Sequence, residues 1–62
     1  MESIKLDVNY IEKNGSAQYH SGVTINCALI EEAIIKELAR ELNTLPSEIE
    51  MITSVQNVLM VY

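Results

Sequence analysis

The dipeptide Asn14-Gly15 most constrains the fold of this chain, because it separates two stretches in which apolar and polar residues alternate. Both residues accept positive φ angles, so the pair predicts a two-residue type I′ turn between antiparallel strands. Gly22 interrupts the second strand and is a candidate β-bulge that would shift the pairing beyond it. Counting outward from the turn gives one apolar face made of the pairs Ile4/Ile25, Leu6/Val23, Val8/Ser21 and Tyr10/Tyr19.

Residues 27–42 have the periodicity of an amphipathic helix, with Asn26 as the N-cap. Asn43 can adopt the left-handed conformation that ends a helix, and Pro46 hinders continuation. The stripe that faces the core is Ala28, Ile34, Ile35, Leu38, Ala39 and Leu42. Three apolar residues lie off this stripe, where either loops cover them or they contact another chain: Leu29, Ile30 and Ala33.

The residues after Pro46 predict a second hairpin, with its turn at Gln56-Asn57. Because that turn signal is weaker than Asn-Gly, a single long bent strand is the alternative. Residues 58–62 are all apolar, which is typical of a central strand covered on both faces.

The predicted fold class is therefore α+β, with residues 1–62 forming a single small domain of two β-hairpins flanking one helix (ββαββ). The helix covers one face of a four-stranded sheet. Strand order 2-1-4-3 is preferred over 2-1-3-4, because the apolar last strand suits a central position. In element order this layout resembles β-grasp domains such as the immunoglobulin-binding domain of protein G. The resemblance covers no sequence motif and implies no function.

The length of 62 residues predicts marginal stability, since such a domain hides only ~60% of its unfolded surface. Small domains compensate with disulfides, metals or self-association. Cys27 is the single cysteine, so an internal disulfide is excluded, and Cys27 with His20 supplies too few ligands for structural zinc. Self-association is the remaining means, and we expect a homodimer with no metal or cofactor.

Nine acidic residues against four basic ones give a net charge of −5. This charge disfavours direct binding to nucleic acid or to anionic membranes. No apolar stretch reaches the ~20 residues of a membrane span, and residues 1–5 lack the layout of a signal peptide. With a lone cysteine, we expect a soluble protein of the cytoplasm.

The titratable residues show no catalytic arrangement. Cys27 precedes the predicted helix, but His20 is seven positions earlier on a strand, ~23 Å away if the chain is extended. In the predicted register His20 lies beside Asn9, near Asp7, on the solvent face. Glu31 and Glu32 are adjacent and therefore diverge on a helix. We expect no enzymatic activity and assign no catalytic residue.

The leading hypothesis is a non-enzymatic interaction protein, either a homodimer or a small subunit that binds another protein through an apolar surface. Because one helix covers only one face of the sheet, the first candidate interface is the opposite face, with Ile11, Ile52, Leu59 and Val61. The second is the group Leu29, Ile30 and Ala33. The alternative function is an acidic inhibitor that mimics nucleic acid in the basic groove of a DNA-binding protein.

Overall fold

The computed structural model describes residues 3–26 and 29–61. These form the strands β1 (Ser3–Glu12) and β2 (Ala17–Ile25), the helix α1 (Glu31–Leu42), a 3-10 turn (Pro46–Glu48) and the strand β3 (Ile49–Val61). The strands make one antiparallel sheet in the order β2-β1-β3. The α+β class is confirmed. The four-stranded ββαββ sheet, in either strand order, is wrong, and β1 pairs with β3 antiparallel rather than in the parallel manner of the β-grasp layout.

The second hairpin is absent from the described residues because Gln56-Asn57 forms a β-bulge within one continuous strand. Between the pairs Lys5/Leu59 and Asp7/Gln56, β3 uses one residue more than β1. Asn57 takes up the extra length with φ of 55°. A residue in the left-handed conformation occurs in turns and in bulges alike. Gln56-Asn57 therefore predicts an interruption of the regular strand, which is confirmed, and a change of chain direction, which is wrong.

The turn between β1 and β2 has three residues instead of two. The backbone N–H of Glu12 donates to the carbonyl of Ser16 at 2.9 Å, and the N–H of Gly15 donates to the carbonyl of Glu12 at 2.8 Å. Gly15 has φ of 93°, but Asn14 is not among the positive-φ residues, so a type I′ turn is wrong. Asn14 instead accepts a hydrogen bond from the N–H of Ser16 through its side chain, at 2.9 Å.

The longer turn and a bulge together change the register of the hairpin. The bulge predicted at Gly22 is confirmed, with φ of 81°. On the far side of the bulge the predicted pairs Ile4/Ile25 and Leu6/Val23 are confirmed. On the turn side Val8 pairs with His20 and Tyr10 with Gln18, so the predicted pairs Val8/Ser21 and Tyr10/Tyr19 are wrong.

The helix begins later than predicted and ends where predicted. Ile30, in extended conformation, precedes its first residue, so Asn26 is not the N-cap. The predicted start at Cys27 lies outside the described residues, together with Ala28. Asn43 ends the helix with φ of 57°, and the N–H of the next residue, Thr44, donates to the carbonyl of Ala39 at 2.9 Å.

The core lies between α1 and one face of the sheet. From α1 it takes Ile34, Leu38 and Ala39, all buried, with Ile35 and Leu42 partly buried beside them. The sheet contributes Leu6, Val8, Tyr10, Val23, Ile25 and Ile49. The predicted stripe is thus confirmed at each of its described positions. Burial of one such aliphatic side chain contributes about 1.5–3 kcal/mol, which makes this small cluster the main stabilising element.

Candidate functional site

The outer face of the sheet, opposite α1, is formed by the odd-numbered residues of β1 and their cross-strand partners. Ile11 lies on this face near the hairpin turn. Leu59 lies on it toward the other end of the sheet, paired with Lys5. Val61 pairs with Ser3 through the backbone, and its side chain is outside the described structure. Ile11 and Leu59 are therefore separated by about 20 Å along the strands and do not meet.

Ile52 was predicted on the outer face but lies on the helix face. It pairs with Tyr10 and packs, partly buried, against the core. A hairpin at Gln56-Asn57 would have placed Ile52 opposite Val61. Because β3 continues through that point, Ile52 pairs with β1 and points toward α1 instead.

Polar side chains gathered on Asp7 occupy the middle of the outer face. The carboxylate of Asp7 accepts hydrogen bonds from the backbone N–H of Gly22 at 3.0 Å and from the side-chain amide of Asn57 at 2.7 Å. The hydroxyl of Tyr19 donates to the same carboxylate at 3.1 Å. Gly22 and Asn57 lie at bulges on opposite neighbours of β1, so one side chain links both bulges to the central strand.

These hydrogen bonds set the protonation behaviour of the cluster. The amide of Asn57 and the N–H of Gly22 favour the ionised carboxylate and lower the pKa of Asp7 below its usual range. The hydrogen bond to Asp7 raises the pKa of Tyr19, since a deprotonated phenol would lose it. The cluster therefore holds an ionised carboxylate and a neutral phenol at neutral pH, an arrangement that organises the sheet.

The polar surface continues from Asp7 toward the hairpin. The side-chain amide of Asn9 donates to the hydroxyl of Ser54 at 3.1 Å, and the hydroxyl of Thr53 donates to the carbonyl of Asn9 at 3.0 Å. An open depression lies over these residues and Tyr19. The centre of the outer face is thus polar, and the predicted continuous apolar patch is not formed there.

The second predicted group straddles the start of α1. Leu29 and Ile30 are exposed and precede the helix, whereas Ala33 lies within it and is half-buried. Ile30 and Ala33 line the same shallow cleft on the protein surface. Glu31 and Glu32 follow directly in the sequence, so charged side chains border this group.

Sequence reasoning missed the full extent of the most exposed apolar segment. Val58, Leu59 and Met60, here called the terminal patch, are consecutive in β3 and have exposures of 46%, 59% and 45%. The all-apolar run predicts a central strand, and this prediction is wrong, because β3 is an edge strand that pairs with β1. On the helix face, Val55 packs against the core, whereas Met60 is exposed. The part of β3 that α1 covers therefore ends before the terminal patch.

The free edge of β3 is occupied at one point by α1. A carboxylate oxygen of Glu31 accepts a hydrogen bond from the backbone N–H of Ile52 at 3.0 Å. This N–H points away from β1, where an added strand would otherwise supply a carbonyl oxygen. The β3 edge is therefore already occupied at Ile52.

His20 lies on the helix face rather than beside Asn9 on the solvent face. The bulge at Gly22 reverses its orientation, and its Nε2 lies 3.5 Å from a carboxylate oxygen of Glu41 on α1. Cys27, the other residue considered for chemistry, lies outside the described residues. Within residues 3–26 and 29–61, no three or more His, Cys, Asp or Glu side chains are grouped so as to hold a metal ion.

No protein-family model, curated protein or solved structure matches this chain. In the described part of the chain, no helix has both the length and the apolar character needed to cross a membrane. The surface itself therefore carries the argument for function.

Proposed function

We propose that this chain is a non-enzymatic interaction protein that associates through the exposed end of β3, as a homodimer or as a small subunit bound to another protein. The terminal patch is the observation that supports this most directly. It places three consecutive apolar side chains, each close to half exposed, on a strand with a free edge. Leu59 lies on the outer face of the sheet and Met60 on the helix face, so the apolar group flanks the free edge on both faces. Exposed apolar residues scattered singly are ordinary, whereas a group along one free edge is typical of an interaction site.

The composition of β3 supports the same proposal. Residues 51–61 contain no charged side chain, although the whole chain carries nine acidic and four basic residues. Interface centres are depleted in charged residues and enriched in methionine and aromatic residues. Fully burying a side chain such as Leu59 contributes about 1.5–3 kcal/mol, so the patch supplies a driving force for association.

Support for the alternative, an acidic mimic of nucleic acid, is weaker. A mimic needs carboxylates that are available to a basic groove. On α1, Glu31 accepts the N–H of Ile52, Glu37 pairs with Arg40 at 3.3 Å, and Glu41 lies 3.5 Å from the imidazole of His20. Three of the helix carboxylates thus have partners within the chain, and the apolar patch is the better candidate.

The test compares the full chain with two single variants, each immobilised through its N-terminus and exposed to its host's proteins and to free wild-type chain. Leu59→Lys introduces a charge into the terminal patch. Leu45→Lys is the matched control, because Leu45 is 66% exposed and lies outside the strands. Wild type and Leu45→Lys should hold their partner at ~1 M salt, where exposed charges are screened within about 3 Å, whereas Leu59→Lys should not.

Two results would contradict the proposal. Complexes that dissociate as salt rises would indicate a charge-based contact and favour the acidic mimic. Complexes that Leu59→Lys retains unchanged would place the interaction elsewhere on the protein.

A further inference from the structure

The hydrogen-bonding directions of β1 can be assigned from its last residues. The N–H of Glu12 donates to Ser16 on the β2 side, whereas the N–H of Lys13 donates to the carbonyl of Glu48, which directly precedes β3. Backbone groups alternate along an antiparallel strand, so even-numbered residues of β1 face β2 and odd-numbered residues face β3. Each register shift adds a residue to β2 or β3, so the alternation along β1 is unbroken.

This alternation assigns the backbone directions within the terminal patch. Lys5 is odd-numbered and faces its partner Leu59, whereas Ile4 is even-numbered and faces away from its partner Met60. The N–H and carbonyl of Met60 therefore point out from the free edge of the sheet. Val58, two residues earlier, points the same way. The edge presents one donor and one acceptor from each of these two residues, on either side of Leu59.

We propose that a second copy of this chain adds to this edge as an antiparallel strand, with Leu59 opposite Leu59 of the other copy. The inference rests on the proposed function and specifies its partner. A two-fold axis at Leu59 places Val58 opposite Met60 of the second copy, and each such pair exchanges two backbone hydrogen bonds. All the outward groups of the patch are then paired, and the two sheets join into one of six strands.

The rest of the β3 edge limits the added strand to the terminal patch. The carboxylate of Glu31 holds the N–H of Ile52, and the bulge at Asn57, with φ of 55°, interrupts the regular strand before the patch. Strand addition needs a regular run of outward donors and acceptors. Only the segment after Asn57 offers one, which fixes the register of the pair.

Each chain carries a net charge of −5, but the charged residues near the contact lie too far apart to prevent a second copy from pairing there. Lys5 is the charged residue paired with Leu59, and the two Lys5 side chains would lie three strand spacings apart, ~14 Å. That distance exceeds the Debye length of about 8 Å at physiological salt. The short antiparallel overlap directs the two hairpin ends, with Glu12 and Glu48, to opposite ends of the dimer.

The edge of the terminal patch is complementary to the same edge of a second copy. Val58 and Met60 flank Leu59 symmetrically, so one two-fold axis satisfies both copies with the same residues. The contact is smaller than the ~800 Å² per partner of a standard stable interface, and the dimer is therefore weak and reversible. We expect it to form at high micromolar concentration.

Chemical synthesis makes the decisive test possible, because a chain of 62 residues can carry one N-methylated backbone amide. Methylation at Met60 removes an outward donor and leaves every side chain and the β1–β3 ladder intact. Methylation at Thr24 is the matched control, because Thr24 pairs with the odd-numbered Lys5 and so points out from the opposite edge, on β2. Both synthetic chains are checked for native circular dichroism before use.

Sedimentation equilibrium of these chains gives the expected ranking. Wild type and N-methyl-Thr24 should dimerise with equal affinity. N-methyl-Met60 should have a dissociation constant at least about tenfold higher, because two of the four intermolecular hydrogen bonds are lost. Equal weakening by both methyl groups, or by neither, would overturn edge pairing.

A disulfide test measures the register independently. Opposed residues of a non-hydrogen-bonded antiparallel pair have Cα atoms about 4.5 Å apart, within reach of a disulfide. In a Cys27→Ser background, Leu59→Cys should therefore form a covalent dimer under mild oxidation. Met51→Cys, exposed on the same strand near the hairpin, should not.

The outcomes separate this inference from the proposed function. A wild-type chain that stays monomeric at high concentration, yet holds a host protein through Leu59, would overturn self-pairing and leave the interaction function standing. A dimer insensitive to N-methyl-Met60 and not crosslinked through Leu59→Cys would overturn the edge geometry alone. A monomer that binds no protein would overturn both.

Discussion

At the scale of single residues, Asp7 links the central strand to a bulge on each of its two neighbours. It stands in the middle of the central strand, where a charged residue would ordinarily weaken pairing. Bulges on both neighbouring strands lie opposite it, and donors from Gly22 and Asn57 reach its carboxylate. The carboxylate thus accepts a backbone N–H that the bulge removes from the ladder.

The lowered pKa of Asp7 predicts a pH-dependent contribution to stability. Because the folded state favours the ionised carboxylate, its stabilisation is complete above the usual pKa of 3.8 and is lost as the pH falls through the lowered folded value. Asp7→Asn should therefore lower the urea midpoint at pH 7, and its difference from wild type should shrink below about pH 4. Urea titrations at pH 7, 5 and 3 measure this, with the exposed Glu50→Gln as control. A constant difference across this range would show that the charge of Asp7 is irrelevant.

Gly15 gives a second prediction at this scale. Its φ of 93° disfavours a side chain, yet a Cβ built there meets no atom within 4 Å, so the cost of substitution is one of backbone conformation alone. Gly15→Val should reduce the free energy of unfolding by about 1–2 kcal/mol. Gly15→Asn should cost less, because asparagine accepts positive φ more readily. Chemical denaturation ranks the two, and an equal cost would refute the conformational explanation.

At the scale of elements, the sequence predicted whichever features depend on local periodicity. The alternation of β1 and the stripe of α1 both reflect a face that must be buried, and both hold at their described positions. Pairing between the turn and Gly22 could not be predicted, because a turn one residue longer reverses the facing of each residue of β2 up to the bulge, where the predicted register is restored. The dipeptide Gln56-Asn57 was also ambiguous, because it predicts a turn or a bulge equally well. Whether a left-handed residue bends a strand or reverses it depends on the available partner strand, and here β1 supplies one along the whole of β3.

The continuity of β3 can be tested directly in solution. Ile4/Met60 and Val8/Val55 are antiparallel pairs whose backbone groups point away from each other, so their α-protons should lie close together. Strong cross-strand nuclear Overhauser effects between these α-protons are expected. A contact between the α-protons of Ser54 and Leu59 in their place would restore the hairpin and exclude the long strand.

The single helix should account for a large share of the folding energy. Leu38 is fully buried between α1 and the sheet, and small domains have only a few kcal/mol of net stability. Leu38→Ala should reduce the free energy of unfolding by about 2–5 kcal/mol and leave much of the protein unfolded. Leu45→Ala, at an exposed site, should change it by less than about 0.5 kcal/mol. Thermal denaturation followed by circular dichroism compares the two variants.

At the scale of the whole molecule, the sequence predicted that an apolar surface would be exposed but only part of where that surface lies. A small chain without disulfides was expected to expose an apolar surface, and Leu59 was placed on it. The location of that surface depends on where the helix cover ends and which strand is at the edge. Both are consequences of the three-stranded topology, which no short stretch of sequence encodes. The alternation of residues predicted one continuous apolar patch on the outer face. The polar cluster around Asp7 occupies the middle of that face and separates its apolar residues.

The placement of the basic residues leads to a final prediction, that this protein does not bind bare nucleic acid. Lys5 lies on the outer face, Lys13 in the hairpin turn, and Lys36 on α1, so the positive charges point in different directions. Arg40, also on α1, already pairs with Glu37 at 3.3 Å. Binding to a phosphate backbone needs several cations along one track, and a net charge of −5 repels it at long range. Gel-shift titrations with duplex DNA and RNA near physiological salt should show no complex at micromolar protein, and Glu37→Gln, which releases Arg40, should not create one. A micromolar complex that weakens steeply with added salt would mean that the four cations converge on one surface when nucleic acid is present.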